Sequence, residues 1–183
     1  MKTLGLIIGC ALLLSGTFAG ADQTNPALPD LFSKLRSAET RQDALRVERR
    51  IWAIWKQHDD PRVETRMRVG IRYMGTRFLE KARDTFSDII EIAPDYAEGW
   101  NKRATVHYMM GHYEASVTDI ARTLQLEPRH FGALSGLGQI YRRLDNPGQA
   151  LEIFETVLEI HPHAARTAQA IEELRAELRR RQI

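Results

Sequence analysis

Cysteine is almost absent from this 183-residue sequence, since the only one, Cys10, lies in an apolar run near the N-terminus. If that run is removed on export, no thiol remains, which excludes disulfides, thiolate nucleophiles and cysteine metal ligands. An excess of positive charge is also lacking, because 26 Lys and Arg residues face 24 Asp and Glu residues. We therefore expect no nucleic-acid partner, since binding to phosphates needs a concentrated basic face. Seven prolines and 12 glycines are ordinary counts, which excludes a collagen-like or low-complexity chain.

The N-terminal segment, residues 1–21, has the organisation of a secretory signal peptide. Lys2 gives a positive start, Leu4–Leu14 is an apolar run, and residues 19–21 (Ala-Gly-Ala) fit the rule for cleavage before Asp22. Two alternatives stay open, namely lipid modification of Cys10 and retention of the run as an uncleaved membrane anchor. We expect export without stable membrane insertion after cleavage. The periplasm is the favoured destination, with secretion or membrane anchoring as alternatives.

A 34-residue period organises the rest of the chain. Pro94, Pro128 and Pro162 recur at this constant interval, and the windows 63–96, 97–130 and 131–164 align without a gap. Apolar residues recur twice at helical spacing in each window, which predicts two antiparallel helices per repeat. Small residues recur where these paired helices have to approach closely. They are Gly70, Ala104 and Gly138 in the first helices, and Ala82, Ser116 and Ala150 in the second helices.

Each window carries a characteristic set of aromatic, aliphatic, small and proline residues. They are Val69, Gly70, Tyr73, Ala82, Phe86 and Pro94, then Trp100, Ala104, Tyr113, Ser116 and Pro128, then Leu137, Gly138, Tyr141, Ala150, Phe154 and Pro162. These positions resemble the signature of the tetratricopeptide repeat (TPR) family, which implies an all-α superhelix with a concave binding surface. The chain departs from the pattern at His107, where an aromatic or aliphatic residue is usual. Gly75 also lies earlier in its repeat than Gly111 does, which predicts a shifted turn in the first repeat.

The segments on both sides of the repeats also have helical periodicity. In residues 22–62, Trp52 and Trp55 fall near the packing positions of a second repeat helix, which predicts a degenerate N-terminal repeat. Asp60 and Pro61 then begin the first regular repeat, as an N-cap and a first-turn proline. Residues 165–183 predict a C-terminal helix that caps the apolar end of the stack. Its apolar stripe is Ala168, Ile171, Leu174 and Leu178.

Motifs for catalysis, cofactors and metals are weak. The six histidines include no pair at i and i+4 around a glutamate, and His161 and His163 are interpreted as parts of a solvated turn. Gly136 and Gly138 begin a nucleotide-binding pattern, but no third glycine and no preceding strand complete it. We therefore predict no catalytic, cofactor-binding or metal-ligating residue, and an enzyme is the least favoured class of function.

The resemblance also indicates which residues face the groove. Those of each first helix that do not join the buried stripe are the candidates. They are Met67, Ile71, Met74, Asn101, Thr105, Tyr108, Met109, Ser135, Gln139, Arg142 and Arg143. This set makes the groove apolar at one end and cationic at the other. In the opposing interpretation, the N-terminal helices cover Met67, Ile71 and Met74, and the arginines are solvated.

These features favour a non-enzymatic scaffold that binds a peptide segment or a helix of a protein partner. Guanidinium groups bind carboxylates bidentately, so the expected ligand has apolar anchors followed by an acidic side chain or a free C-terminal carboxylate. The family's carboxylate clamp for chaperone tails is absent, because Met67 and Ile71 occupy the first repeat's share of it. The alternative function is a self-associating structural component of the cell envelope, which would form homo-oligomers.

Overall fold

The computed structural model describes residues 25–181, and these residues form nine α-helices and no β-strand. The helices are α1 (Leu28–Arg36), α2 (Arg41–Trp55), α3 (Pro61–Gly75), α4 (Leu79–Ile92), α5 (Ala97–Met110), α6 (Tyr113–Leu126), α7 (Phe131–Arg143), α8 (Pro147–Ile160) and α9 (Ala165–Arg181). The expected all-α superhelix is confirmed. None of these nine helices is both long and apolar enough to cross a lipid bilayer. The expected signal peptide and its cleavage position lie outside the described residues.

Helices α3 to α8 form three antiparallel pairs, one in each 34-residue window. Asp60 caps α3 by accepting the backbone N–H of Arg62 at 2.8 Å, and Pro61 occupies the first turn. Asn146 caps α8 by accepting the backbone N–H of Gln149 at 3.2 Å. Helix α9 then packs on α8 and covers the end of the third pair. Its buried apolar residues are Ala170, Ile171 and Leu174.

In each pair, a small residue of the first helix faces a larger residue of the second. A Cβ atom on Gly138 would lie 2.5 Å from the ring of Phe154, and the equivalent distance for Gly70 in the first pair is 2.6 Å. The second pair has Ala104 and Ile120 at these positions, and both are buried. The methyl group of Ala104 is accommodated because Ile120 is smaller than the phenylalanine of the other two pairs. The close helix approach expected at the small residues is present.

The turn between the helices uses the same position in every pair. Arg77, Gly111 and Asp145 have positive φ angles of 64°, 80° and 55°, and they follow one another at the repeat period. The expectation of a shifted turn in the first repeat is therefore wrong. Gly75 is the last residue of α3, and Arg77 adopts the left-handed conformation instead. A side chain at such a position is strained, because its Cβ crowds the following carbonyl oxygen.

Helices α1 and α2 form a hairpin that does not stack in front of the first pair. It shares a hydrophobic cluster with Phe131 and Leu134 of α7 and with Val157 of α8. The buried residues of the hairpin in this cluster are Leu28, Leu31, Phe32, Leu35, Ala44, Ile51 and Trp55. The expected N-terminal helix pair is present, but it does not precede the first pair in the stack. The chain folds back so that the hairpin packs on the third pair.

The face of the first pair that points away from the second pair, called its front, is polar, which explains why the hairpin does not stack there. The second repeat places Val106 against the preceding pair, and the third repeat has Ile140 at the same position, and both are fully buried. The first repeat has Arg72 at this position. Its other front positions are polar and exposed as well, namely Thr65, Arg68 and Thr76. A polar front gains nothing from burial, so the first pair serves as its own N-terminal cap.

Candidate peptide-binding groove

The first repeat contributes less to the groove than expected. Met67 is only 4% exposed and packs with Phe86 and Val106 between the first and second pairs. Its assignment to the groove surface is therefore wrong, because the flexible thioether fills a gap in the core. Met74 is half-buried against the same cluster, whereas Ile71 is 37% exposed. The opposing interpretation, in which the N-terminal helices cover these residues, is also wrong, since the hairpin packs on the third repeat.

Helices α5 and α7 border a furrow with a small cavity in its floor. The cavity has a volume of about 70 Å³ and is lined by Asn101, Ala104, Thr105, Tyr108, Ser116, Ile120, Gly132, Ala133 and Gly136. Its space arises because Gly136 carries no side chain and because Ile120 stands where the other repeats have phenylalanine. The lining hydroxyls of Thr105 and Ser116 donate to the backbone carbonyls of Asn101 and Ala104, at 2.9 and 2.8 Å. The cavity therefore presents an apolar surface to a ligand.

The two candidate arginines point in different directions. The guanidinium of Arg143 donates to the hydroxyl of Tyr108 at 3.4 Å, so this side chain crosses from α7 towards α5 at the edge of the furrow. Arg142 instead donates to Glu173 of α9 at 3.1 Å. Because adjacent helical residues are about 100° apart, only one of the two can face the furrow. The cationic edge expected from both residues is thus reduced to Arg143, while Met109 and Gln139 are half-buried on the same two helices.

A buried polar cluster lies at the other end of the furrow, and the sequence motifs did not indicate it. Asn101 is 6% exposed, and its amide donates to Glu98 at 2.8 Å. Glu98 is fully buried and forms an ion pair with Lys102 at 2.8 Å. It also accepts a hydrogen bond from Nε2 of His130 at 3.2 Å. Nδ1 of His130 in turn accepts the backbone N–H of Ala133, which assigns the neutral tautomer with its proton on Nε2.

These partners keep Glu98 ionised despite its burial. Burial raises the pKa of the Glu98 carboxyl, but the Lys102 ammonium and the His130 hydrogen bond outweigh it and hold the pKa at about 2. The carboxylate ties the N-terminal half of α5 to the loop before α7. Asn101 is thereby fixed in the cavity wall, with one N–H of its amide committed to Glu98. A single buried acidic residue in a helix has no periodic signature, so sequence reasoning could not single it out.

Helix α2 covers this end of the furrow with two tryptophans. The indole of Trp55 stacks on the imidazole of His130, with centroids 4.1 Å apart and planes at 9°. Trp52 meets Phe131 edge to face at 5.5 Å. A Cβ atom on Gly132 would lie 2.6 Å from the Trp52 ring, so glycine is required for this contact. The N-terminal end of α7 is therefore closed by aromatic packing.

Two histidines fasten the hairpin to the loop between α8 and α9. Nε2 of His161 lies 3.3 Å from a carboxylate oxygen of Glu48, and Nε2 of His163 lies 2.7 Å from the carbonyl of Ala38. His161 is only 4% exposed. The interpretation of both residues as parts of a solvated turn is wrong, because the turn is a docking point for the hairpin. Among residues 25–181, no group of three His, Cys, Asp or Glu side chains is placed to hold a metal ion.

Comparisons with known proteins identify the repeats. The family model of the tetratricopeptide repeat matches residues 132–163. A TPR repeat-containing protein of Rhizobium etli is 36% identical over 142 residues, which cover 78% of this chain and 69% of that protein. The small glutamine-rich tetratricopeptide repeat-containing protein 2 of Saccharomyces cerevisiae is 28% identical over 91 residues. That match covers 50% of this chain and 26% of the yeast protein.

Solved structures share the same architecture. The first TPR of Spaghetti (RPAP3), bound to the HSP90 peptide SRMEEVD, matches with a TM-score of 0.62 at 18% identity, over 66% of this chain and 95% of that chain. A crystal structure of the MamA protein matches with a TM-score of 0.57 at 22% identity, over 85% of this chain and 82% of that chain. At this level of identity the matches show the fold alone.

Proposed function

Because the chain belongs to the tetratricopeptide repeat family, we propose that it is a non-enzymatic scaffold that binds a segment of a protein partner between α5 and α7. The observation that carries the proposal is the apolar cavity of about 70 Å³ in the furrow, bordered by Arg143. The binding of an HSP90 peptide by the Spaghetti domain supports the proposal at the level of architecture. No step of this function requires a cofactor, a metal or turnover.

The cavity and the arginine together define the chemistry of the ligand. A volume of about 70 Å³ exceeds the roughly 10–15 Å³ that one water needs, and it has room for a branched aliphatic side chain. The Arg143 guanidinium can donate hydrogen bonds to a carboxylate, because its contact to Tyr108 is long and leaves most of its N–H donors free. The ligand is therefore a segment with an aliphatic anchor and an acidic side chain or a C-terminal carboxylate.

The proposed location is outside the cytoplasm, with the periplasm favoured. It rests on the basic, apolar and small-residue order of the N-terminal segment, residues 1–21. The loss of Cys10 with this segment is consistent with a mature scaffold that needs no thiol chemistry. Self-association in the cell envelope stays the alternative prediction.

The adjacent arginines provide a matched test. Once a partner segment has been identified by cross-linking, Arg143→Glu should weaken its binding by at least about tenfold, or 1.4 kcal/mol. Arg142→Glu changes the same charge one residue away, on the side of Glu173, and should leave the affinity within about twofold. Both side chains are exposed, so the melting temperature should not change. Equal affinities of the two variants would show that the furrow is not the binding site.

A further inference from the structure

The α1–α2 hairpin forms a wall at one end of the furrow. Trp52 lies directly against Gly132, and Gly132 also lines the cavity, so the indole and the cavity are adjacent. Arg143 lies at the opposite end of α7, about 16 Å away at a rise of 1.5 Å per residue. The furrow is therefore bounded by α2 at one end and by Arg143 at the other.

This wall is a fixed part of the fold. The apolar residues that the hairpin contributes to the shared cluster are each at most 4% exposed. Trp55 is stacked on His130, and the contacts of Glu48 and Ala38 hold the hairpin from its other side. Detachment would expose to water the part of this apolar surface that packs on α7 and α8, which a segment bound over one small cavity could not offset. A ligand therefore meets α2 as a boundary and does not displace it.

The wall also carries a cation that has no acidic partner. Lys56 is the C-cap residue of α2, and its Nζ lies 6.0 Å from the centre of the Trp52 ring. Within the part of the chain that the structure describes, Lys56 forms no ion pair. Lys102 lies 5.6 Å from the same ring but is neutralised by Glu98. Lys56 is therefore available to a ligand, as Arg143 is at the other end.

We propose that Lys56, whose ammonium lies over the Trp52 ring, recognises a second acidic residue of the ligand, at the opposite end from Arg143. This inference rests on the proposed function, and it adds the spacing that the ligand must have. An extended backbone advances about 3.3 Å per residue, so about five residues span the ~16 Å of α7 between Gly132, which contacts Trp52, and Arg143. The ligand class is a segment with two acidic side chains about five residues apart and an aliphatic side chain between them.

The probes for this test are fluorescein-labelled nine-residue peptides with a central Leu in a Gly/Ser background. One peptide carries two Glu residues five positions apart. The others carry only the first of these Glu residues, only the second, neither, or two Glu residues two positions apart. Binding to the purified protein is measured by fluorescence anisotropy. The peptide with two Glu residues five apart should bind about two- to fivefold more tightly than either singly acidic peptide, as exposed ion pairs typically provide. The short spacing should lose this gain.

Charge reversal at Lys56 assigns the second site. Lys56 is exposed at the end of α2, so Lys56→Glu leaves the fold intact and should make an uncharged residue preferred over Glu at one end of the peptide. Arg143→Glu should reverse the preference at the other end. Arg50→Glu is the matched control, because Arg50 is exposed on the face of α2 opposite Trp52, and it should change neither preference.

The outcomes separate this inference from the proposed function. If Arg143→Glu reverses a preference but Lys56→Glu affects all peptides equally or not at all, the α2 wall has no recognition role, while the proposed function stands. If the doubly acidic peptides bind equally at both spacings, the inferred ligand geometry is wrong. If the unmodified protein binds none of the peptides, the proposed ligand class and this inference both fail.

Discussion

Replacing Gly138 with alanine tests the packing of the repeats at its tightest point. The new Cβ would lie 2.5 Å from one carbon of the Phe154 ring and 2.8 Å from two others. The ring cannot easily move away, because Phe154 is 1% exposed and packs against Ala170 and Ile171 of α9. Such overpacking costs about 1–3 kcal/mol, and the higher helix propensity of alanine offsets about 0.5–1 kcal/mol. We expect a net loss of about 1–2 kcal/mol in the free energy of unfolding.

The second repeat supplies the compensating change. It has Ala104 opposite Ile120, so Gly138→Ala combined with Phe154→Ile copies a pair that the chain already uses. Phe154→Ile alone should also destabilise the protein, because it leaves a gap. The double variant should be more stable than the sum of the single effects by about 1 kcal/mol, since residues in contact couple at this scale.

Urea denaturation followed by circular dichroism measures all three variants. Gly148→Ala is the matched control, because Gly148 lies in α8 and a methyl group placed on it would meet no atom within 4 Å. It should stabilise the protein by about 0.5–1 kcal/mol. A Gly138→Ala variant as stable as this control, with additive effects in the double variant, would refute the assigned contact between α7 and α8.

Three other expectations follow from the turn, the buried carboxylate and the N-terminal segment. Arg77→Gly should raise the free energy of unfolding by about 0.5–1 kcal/mol, because it removes the strain of a positive φ, and no gain in urea would contradict this. The pKa of Glu98 is lowered to about 2 from 4.5, so its stabilising contribution is fully present above pH 4.5 and is lost as pH falls towards 2. Glu98→Gln should therefore be less stable than the unmodified protein at pH 7, with a difference that shrinks below pH 4.5, and a constant difference would exclude ionisation of Glu98. Intact-mass measurement of the extracted protein should begin at Asp22, whereas a retained Met1 or a lipid on Cys10 would reject the proposed cleavage.

The repeats could be predicted from the sequence because their packing is local and periodic. Gly138 and Phe154 belong to one repeat, and the 34-residue spacing of Pro94, Pro128 and Pro162 fixes their register. The turn of the first repeat was predicted at the wrong position. Gly75 suggested a shift, although the position one repeat period before Gly111 is Arg77. The repeat register was the better guide, since tertiary packing can hold a non-glycine residue in a left-handed turn.

The sequence argues against packing of the N-terminal hairpin in front of the first pair, but it does not indicate that the hairpin packs on the third pair. The polar front positions of the first repeat, such as Arg68 and Arg72, already argue against a helix pair in front of them. The contacts that hold the hairpin join residues far apart in the chain, such as Trp55 with His130 and Glu48 with His161. Contacts of this kind have no period, so only the structure shows them.

The candidate groove was predictable at the level of helix faces. Thr105, Tyr108 and Arg143 lie along the furrow as their repeat positions suggest, because a helical face follows from spacing alone. Met67 and Arg142 do not lie along the furrow. The Met67 side chain turns into the core, and the Arg142 side chain turns towards Glu173. The choice between two directions depends on neighbouring helices, which spacing does not specify.

Site-specific photo-cross-linking in the protein's own compartment tests the central claim most directly. A photoreactive phenylalanine analogue at Gln139, which lies on the groove helix α7, is compared with the same analogue at Glu152, which is exposed on α8. The proposed function predicts that only the Gln139 position captures a partner, through a short segment with acidic and aliphatic residues. Identical adducts from both positions would contradict binding in the furrow, and adducts between two copies of this chain would favour self-association instead.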